Sequence, residues 1–529
     1  MTNTPLATLV QHLQFAECYP HATSSFEVFE THISYVILTG DYVYKFKKPV
    51  DLGFLDFSSL EKRKFFCEEE LRLNRRLAPD MYLDVVSVHG ELEHPVVGGT
   101  GPLLEYAVKM CQFATDDRMD NVTARGELTP EQIDQLAQIV AEFHEHIPVA
   151  ASDSAFGTIE VIRQRIMQNF EQVLQNTDDP EITNICSQLR VWSEAALEKR
   201  QQLIAQRKHE GAIRECHGDM HMANIVMLEG KPVIYDCLEF AEDLRWIDTI
   251  SEIAFLYMDL DFHHQHKLAL RYLNQYMIHR GDYAGLGLLC IYLVYRAMVR
   301  AKVNSIEAKQ QTADPKTADG HLATTKSYLA LARNYIESFA SPVLIILHGL
   351  SGSGKSWLAE QLLESYGAIQ IRSDVERKRL LGLAAQAKTK SAIGQGAYSA
   401  DMTVRTYQRL LELASLILQA GPSVIVDATF LKRTHRDQFQ QLAQSLDIPY
   451  VILDLQASVE TLRSRIMKRT EQTKDASEAT LQVLAQQLKI NEVVDASEAP
   501  YTICINTEET LNLDELAQRI LSAKRAPIS

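Results

Sequence analysis

The sequence predicts two domains of different class in one chain: an α+β domain with two lobes, strand-rich and then helical, followed by an α/β domain built on a parallel sheet. Three observations carry that prediction. Residues 27–48 are dense in Val, Ile, Tyr and Phe around a Thr39-Gly40-Asp41 turn, and the chain becomes mainly helical beyond about residue 111. In the middle, His217-Gly218-Asp219-Met220-His221-Met222-Ala223-Asn224 is followed, after two short apolar runs, by Asp236. From Val343 an unbroken apolar run leads into Gly349-Leu350-Ser351-Gly352-Ser353-Gly354-Lys355-Ser356, and apolar runs then alternate with helical patterns.

Composition narrows the class. Hydrophobic residues are 46% and charged residues 23% of the 529, ordinary values for a soluble protein with buried cores. The formal net charge of −16 argues against a broad nucleic-acid surface, leaves a local basic groove open, and mildly favours cationic or neutral substrates. Eight scattered Cys without a CxxC pair suit reduced thiols in the cytosol. MTNTPLATLVQHLQF lacks a basic segment followed by an apolar core, so no secretory signal is expected. The longest apolar run, Ala284–Val294, is too short to span a bilayer and reads as a buried helix. The expectation is a cytoplasmic protein without a membrane role.

In chain order, residues 1–25 read as a short amphipathic helix and a loop. Glu27–Leu38 and Tyr42–Lys48 read as the strands of a hairpin turning at Thr39-Gly40-Asp41. Lys45 lies on the second strand, and a helix over about 60–77 carries Glu68, Glu69 and Glu70. A strand lysine paired with a glutamate on the next helix is the arrangement that holds ATP phosphates in kinases. Glu70 is the preferred partner because Leu71, Leu73 and Leu77 mark a buried side; the alternative is a solvated acidic face. No GxGxxG precedes Lys45, and Gly40 serves only the turn. Leu103–Met110 reads as a strand leading to a connector.

Thr129-Pro130-Glu131-Gln132 opens a helix, with Thr as cap, Pro at the first position and Gln three residues after the cap. His144-Glu145-His146 lacks metal-ligand spacing and is taken as structural. Two helices are expected over 157–208. Ile225–Leu228 and Pro232–Tyr235 read as a hairpin turning at Glu229-Gly230, which sets Asp219 and Asn224 before the hairpin and Asp236 at its exit. His263, His264 and His266 read as an exposed cluster on a loop. Helices continue to about Val303, Glu307–Gly320 reads as a polar loop, and a last helix spans His321–Ala340. The boundary between the domains is placed at Ser341-Pro342, giving 1–340, with a first lobe over about 25–110 and a helical lobe over 111–340, and 341–529.

An Asp, an Asn five residues on and a second Asp beyond a short hairpin form the layout used for ATP-dependent phosphoryl transfer to a hydroxyl. HGDMHMAN followed by VIYDCLEF resembles the aminoglycoside phosphotransferase and choline kinase group of kinase-like folds. VYKFKKPVDLGFLDFS and CEEELRLNRRLAP resemble a bacterial branch of it that is fused to an ATP-binding domain. The resemblance covers about residues 25–335 and implies a bilobal protein-kinase-like fold. It implies Asp219 as catalytic base, Asn224 and Asp236 as Mg²⁺ ligands, Lys45 on the α/β-phosphates with Glu70 as its partner, and 103–110 as the hinge that bonds adenine. Its name does not fix the acceptor.

Gly349–Ser356 is a Walker A pattern. The bare pattern arises by chance in about one chain in fifty of this length, so the strand before it and the helix over 357–363 carry the assignment. Backbone amides of Gly349, Leu350, Ser351, Gly352, Ser353 and Gly354 would hold phosphate oxygens, Lys355 would reach the β/γ-phosphates, and Ser356 would ligate Mg²⁺. Further strands are expected at 368–371, 423–426, 450–455 and 501–505. Asp374 and Arg377, three apart beyond the second strand, resemble the pairing in polynucleotide-kinase-like and zeta-toxin-like P-loop kinases, which implies Asp374 as activator of the acceptor hydroxyl and Arg377 as substrate ligand. Asp427 would hold the Mg²⁺ shell. Arg463, Arg465 and Arg469, ahead of Glu471–Glu478, resemble a lid, with the acting arginine left open.

The leading expectation is an α/β P-loop NTPase domain fused to a kinase-like one, a pair of ATP- and Mg²⁺-dependent phosphotransferases acting on small-molecule hydroxyls. A nucleic-acid 5′-hydroxyl kinase and a non-enzymatic nucleotide sensor are the competing readings. Every required motif residue is present in both halves, which weighs against the sensor.

Overall fold

A computed structural model describes residues 5–522 except 54, 312–313, 385–386, 388–398 and 473–479; for 364–365 and 469–472 only the backbone is described. The chain divides into two compact units, one of residues 1–139, 143–157 and 208–256, the other of 140–142, 158–207 and 257–529.

The first unit starts with α1 (Pro5–His12) and an antiparallel sheet of β1 (Glu27–Glu30), β2 (Ser34–Leu38), β3 (Tyr42–Lys47), β4 (Tyr82–Glu91), β5 (His94–Val97) and β6 (Leu103–Cys111), in the order β1-β2-β3-β6-β4-β5. The single strand expected over Glu27–Leu38 is in fact two paired strands. The Thr31 side chain breaks it, accepting from the Ser34 and Ile33 amides and folding the chain back before the Thr39-Gly40-Asp41 turn. Alternation then sorts β3: Tyr44 and Phe46 enter an apolar cluster with α1, Tyr35 and Ile37, whereas Lys45 and Lys47 face the other side. Between β3 and β4, α2 (Leu60–Asn74) packs on that other side, started by the Ser59 side chain, which accepts from the Lys62 amide.

Next come α3 (Met119–Ala124) and α4 (Pro130–His146). The expected capping box is present: Thr129 and Gln132 each satisfy the other's backbone amide. After α5 (Ile159–Asn176) and α6 (Pro180–His209), the chain returns through β7 (Ile213–Glu215), the hairpin β8 (Ile225–Leu228) and β9 (Lys231–Ile234), α7 (Glu242–Arg245), β10 (Trp246–Asp248) and α8 (Thr249–Phe262). Glu229 and Gly230 both have positive φ, 50° and 77°, the geometry of a two-residue hairpin turn.

The second unit holds α5, most of α6, α9 (His266–Arg280), α10 (Leu286–Gln310) and α11 (Pro315–Ser338), together with the C-terminal sheet. His266 opens α9 rather than lying on a loop. The polar loop expected over Glu307–Gly320 is also corrected. Glu307–Gln310 continue α10, and Pro315–Gly320 already belong to α11, because Pro315 takes the first helical position, where its missing amide costs nothing. These polar turns are backed by packing: Ala308 is buried, α11 lies along α10, and His321 Nδ1 of α11 is 3.3 Å from Asn304 Oδ1 and 3.2 Å from Glu307 Oε2 of α10. Among the described residues, Tyr283–Gln310 is the one stretch long and apolar enough to cross a membrane, and 67% of its apolar window is buried in the protein.

The C-terminal sheet is parallel throughout, β11 (Leu344–His348), β12 (Ala368–Arg372), β13 (Ser423–Asp427), β14 (Tyr450–Gln456) and β15 (Thr502–Asn506), in the order β12-β13-β11-β14-β15. Connecting elements are α12 (Lys355–Tyr366), α13 (Ser373–Leu380), α14 (Ala400–Ala420), α15 (Arg433–Ser445), α16 (Val459–Gln472), α17 (Leu481–Ile490) and α18 (Leu513–Leu521). One face of the sheet is closed by Leu358, Leu362, Leu516 and Ile520 of α12 and α18 against Ile345, Leu347 and Leu453. The five expected strands all form, and their C-terminal ends meet at the glycine-rich loop.

Candidate active sites

The first site is assembled by β3, α2 and the two loops around the β8–β9 hairpin. Lys45 Nζ lies 2.8 Å from Glu70 Oε1 and 2.7 Å from Asp236 Oδ1. Burial alone would pull Lys45 down, but Asp236 and Glu70 outweigh it and hold the ammonium charged well above its ordinary range. Glu70 is fully buried. Burial raises its carboxyl, and the two lysines bring it below the usual range. Of the three candidate glutamates, Glu70 is the one brought to Lys45; Glu69 pairs with Arg72, and Glu68 with Lys64.

Two further charges complete this cluster and were not read from the sequence. Lys47 is buried between Glu70, at 2.7 Å, and Glu239. Burial, aided by the Glu70 carboxylate, raises Glu239 even against Lys47. The signal was present: Lys47 is two residues from Lys45 on one strand and must share its face. Glu239 lies within the VIYDCLEF segment, but its pairing with Lys47 had no signal, because only the fold returns the segment after β9 to β3.

Asp236 adopts φ 62°, the left-handed region, and is held there by neighbours. Its N–H donates to the Tyr82 hydroxyl at 3.2 Å, and the next amide, Cys237 N–H, donates to Asn74 Oδ1 at 2.9 Å. Asn74 stands one turn after Glu70, so one face of α2 fixes both the lysine and the aspartate loop.

Asp219 lies on the loop ahead of the hairpin. Asn224 Nδ2 donates to the Asp219 carbonyl at 3.0 Å and to its carboxylate at 3.2 Å, and His221 Nε2 is 3.4 Å from that carboxylate. With the Asn224 amide turned this way, its Oδ1 is left facing away from Asp219; that oxygen and the Asp236 carboxylate are hard-oxygen groups of the kind that suit Mg²⁺. Gly218 has φ 91°, and a Cβ there would sit 2.9 Å from the Leu244 carbonyl, so no other residue fits.

The loop is gripped from below by Glu252 on α8. Its carboxylate accepts from His217 N–H at 2.9 Å, Gly218 N–H at 2.6 Å and His144 Nε2 at 3.1 Å. Burial raises Glu252, but His144, His217 and the amides bring it down to about 2. Burial lowers His217, so its imidazole is neutral. Its Nε2–H donates to the Tyr235 carbonyl at 2.8 Å, which leaves Nδ1 to accept from Asp219 N–H at 3.3 Å. His144 is thus structural as expected, a support of the loop.

The second site lies where β11 enters α12. A Cβ at Gly352 would come within 2.9 Å of the Leu462 carbonyl, so the loop is pressed against α16 and must be glycine. Lys355 Nζ folds back to the Leu350 carbonyl at 2.8 Å, and the Ser351 amide donates to Gln487 Oε1 at 2.8 Å. Ser356 Oγ donates to Asp427 Oδ2 at 2.8 Å, bringing together the two expected Mg²⁺ ligands; hydroxyl and carboxylate again suit that ion. Arg377 Nη1 is 2.6 Å from Asp374 Oδ1. Gly352, Lys355, Ser356, Asp374, Arg377 and Asp427 line one cleft of about 410 Å³. Of the lid arginines, Arg465 reaches the cleft, bridging Gly352 and Thr507; Arg463 is exposed, and the side chain of Arg469 and residues 473–478 fall outside the described residues.

Comparison with known proteins matches two segments of the chain. Residues 67–289 match the phosphotransferase enzyme family, and 344–493 match an AAA domain. Uncharacterized proteins of Mycobacterium tuberculosis and Mycobacterium bovis are 30% identical over 459 residues, covering 87% of this chain and 89% of theirs. Among solved structures, choline kinase from Cryptosporidium parvum Iowa II is 9% identical, covering 63% of this chain and 97% of its own, with a TM-score of 0.39. A gluconokinase from Sinorhizobium meliloti 1021 is 23% identical, covering 35% of this chain and 91% of its own, with a TM-score of 0.24. At those scores the structural likenesses decide nothing about activity.

Two outcomes follow from the charge clusters. Lys47→Met should destabilise the protein by about 3–5 kcal/mol in urea unfolding at pH 7, because two buried carboxylates lose their partner; a loss under about 1 kcal/mol would mean the cluster is wet. Acid should destabilise the fold in two stages. His217 has a lowered folded pKa, so stability falls as pH drops below about 6.5, where the unfolded imidazole takes a proton. Glu252 and Glu70, also lowered, add stability above about 4.5 that is lost as pH falls towards 2. Thermal melts from pH 8 to 3 should show a shallow and then a steep decline.

Proposed function

The chain belongs to the two-domain family of its mycobacterial relatives, a phosphotransferase-family domain followed by a P-loop domain, and on that premise we propose a kinase with two nucleotide sites. Each passes the γ-phosphoryl group of ATP to a hydroxyl of a small molecule. The observation that carries the reading is the meeting of Lys45, Glu70 and Asp236 in one cluster, tied to Asp219 through His217 and through Asn224, whose carbonyl accepts from Tyr235 N–H at 3.0 Å.

At the first site Lys45, fixed by Glu70, holds phosphate oxygens. Asp219 orients the acceptor hydroxyl and takes its proton as the acceptor oxygen bonds to Pγ and the bond from Pγ to the bridging oxygen breaks, releasing ADP. Asn224 and His221 hold the Asp219 carboxylate in place. At the second site Lys355 and the loop amides hold phosphates, Asp374 receives the acceptor proton, and Arg377, 2.6 Å from that carboxylate, aims it and binds the substrate. Mg²⁺, held by Asn224 and Asp236 at the first site and by Ser356 and Asp427 at the second, would neutralise charge on the phosphates.

The test is γ-phosphate transfer by wild type, Asp219→Asn and Lys355→Ala to aminoglycosides, choline-like amino alcohols, sugars, nucleosides and 5′-hydroxyl oligonucleotides. Asp219→Asn should lower kcat for one acceptor class about 10²–10⁴-fold with ATP binding retained, and Lys355→Ala should abolish nucleotide binding at the second site. Full transfer by Asp219→Asn would remove the assignment of the first site. Transfer confined to oligonucleotides would overturn the small-molecule reading.

A further inference from the structure

The metal side of the P-loop cleft is braced by a helix that belongs to the phosphotransferase-family match. β12 is an edge strand of the C-terminal sheet. Its free edge is taken by one side chain, Asn274 of α9, whose Nδ2 donates to the Ala368 carbonyl at 3.0 Å and whose Oδ1 accepts from Gln370 N–H at 2.8 Å. Those are the two bonds that a neighbouring strand would make. Asn274 is 2% exposed, and its own helix supplies a third bond, from Nδ2 to the Leu270 carbonyl. Gln370, equally buried, turns its Nε2–H to Asp427 Oδ2 at 3.2 Å, the oxygen that accepts from Ser356 Oγ. Asn274, Gln370, Asp427 and Ser356 therefore form an unbroken line of hydrogen bonds.

A second contact joins the same layer to the acceptor side. The Arg379 guanidinium donates to the Ile278 carbonyl of α9 at 2.8 Å and pairs with buried Glu376, which also receives the Tyr283 hydroxyl at 3.4 Å. Arg379 and Glu376 lie on α13, the helix that carries Asp374 and Arg377. Residues 266–283 thus hold both β12 and α13, although α9 falls wholly within the segment matched to the phosphotransferase family.

We infer that Asn274 is a positioning residue for the P-loop centre, fixing the Asp427 carboxylate through Gln370, so that metal-dependent nucleotide binding there depends on a helix of the phosphotransferase-family segment. The inference rests on the reading of Ser356 and Asp427 as Mg²⁺ ligands. A buried carboxylate with one fixed oxygen presents the other in a set direction; without the Gln370 bond, Oδ2 keeps Ser356 Oγ at 2.8 Å and the longer Arg372 contact at 3.6 Å, and the carboxylate is held less firmly. The phosphate-binding amides of the loop lie on a different segment and do not need Gln370.

The test uses the full chain and a fluorescent N-methylanthraniloyl ATP, excited by energy transfer from Trp357, which is exposed beside Ser356 and lines the cleft. The part of the signal lost in Lys355→Ala is assigned to the P-loop site. In Asn274→Leu and Gln370→Leu, binding measured in EDTA should match wild type, while the Mg²⁺ concentration for half-maximal tight binding should rise three- to tenfold. The double variant should be no worse than either single, because both cut one relay. Gln370→Leu leaves α9 intact, so it reads the relay even where Asn274→Leu weakens the fold. Unchanged Mg²⁺ midpoints, equal losses with and without Mg²⁺, or additive effects in the double variant would each overturn the inference. A Trp357 signal that survives Lys355→Ala would instead overturn the P-loop reading beneath it.

Discussion

Two lysines and two glutamates out of water in one pocket are the constraint on which the first unit depends. Removing a single ion from water costs several kcal/mol even after relaxation. Two opposite charges 4 Å apart recover about 4 kcal/mol at an effective dielectric near 20. Neither lysine can therefore be buried alone, and each shares Glu70 with the other. The arrangement fixes the register of β3 against α2, because a slip of one residue would carry both lysines to the apolar face and Tyr44 and Phe46 into the charges. It also fixes where the segment after β9 must come, since Glu239 and Asp236 complete the cluster from that side. Strand register, helix placement and loop path become one decision.

On the proposed reading the two sites would hold anionic phosphate differently. The first uses side-chain charge on rigid elements, and its loop is set by Glu252, a carboxylate facing two backbone amides and a histidine. The second uses the backbone, with glycines that let the loop lie against α16 and the β14 end. Charge placed on side chains must be balanced in advance, which is why the first site is crowded with partners. Backbone amides carry no net charge, and the second site takes up a side-chain oxygen from Gln487 with no counter-ion.

Local pattern carried much of this. The placement of Asp219 and Asn224 before a short hairpin and of Asp236 at its exit was legible from their spacing, and the glycine-rich loop from the strand and helix that adjoin it. Glu70 was separable from Glu68 and Glu69 by the leucines behind it. What stayed hidden depends on long-range return of the chain: Tyr82 and Glu252 act from segments with no motif of their own, and Glu239 and Asn74, although inside the VIYDCLEF and CEEELRLNRRLAP motifs, have partners that only the fold brings to them. The loop expected at 307–320 failed for a related reason. Its polar residues mark solvent exposure, not absence of a helix, and packing of α10 on α11 outweighs local composition. The break in 27–38 turned on one hydroxyl, Thr31, whose competing hydrogen bonds no periodicity reveals.

Asn274 also has a bearing on how such a chain can be inherited. A parallel sheet with an uncovered edge invites pairing with other chains, and natural proteins cover or blunt such edges. Here the cover for β12 comes from a helix 96 residues upstream of Gln370, outside the segment that contains the sheet. A descendant that kept only the C-terminal segment would carry a bare strand and lose its guard against aggregation. Cutting the chain between α9 and β12 would leave the Ala368 carbonyl and the Gln370 amide without these partners.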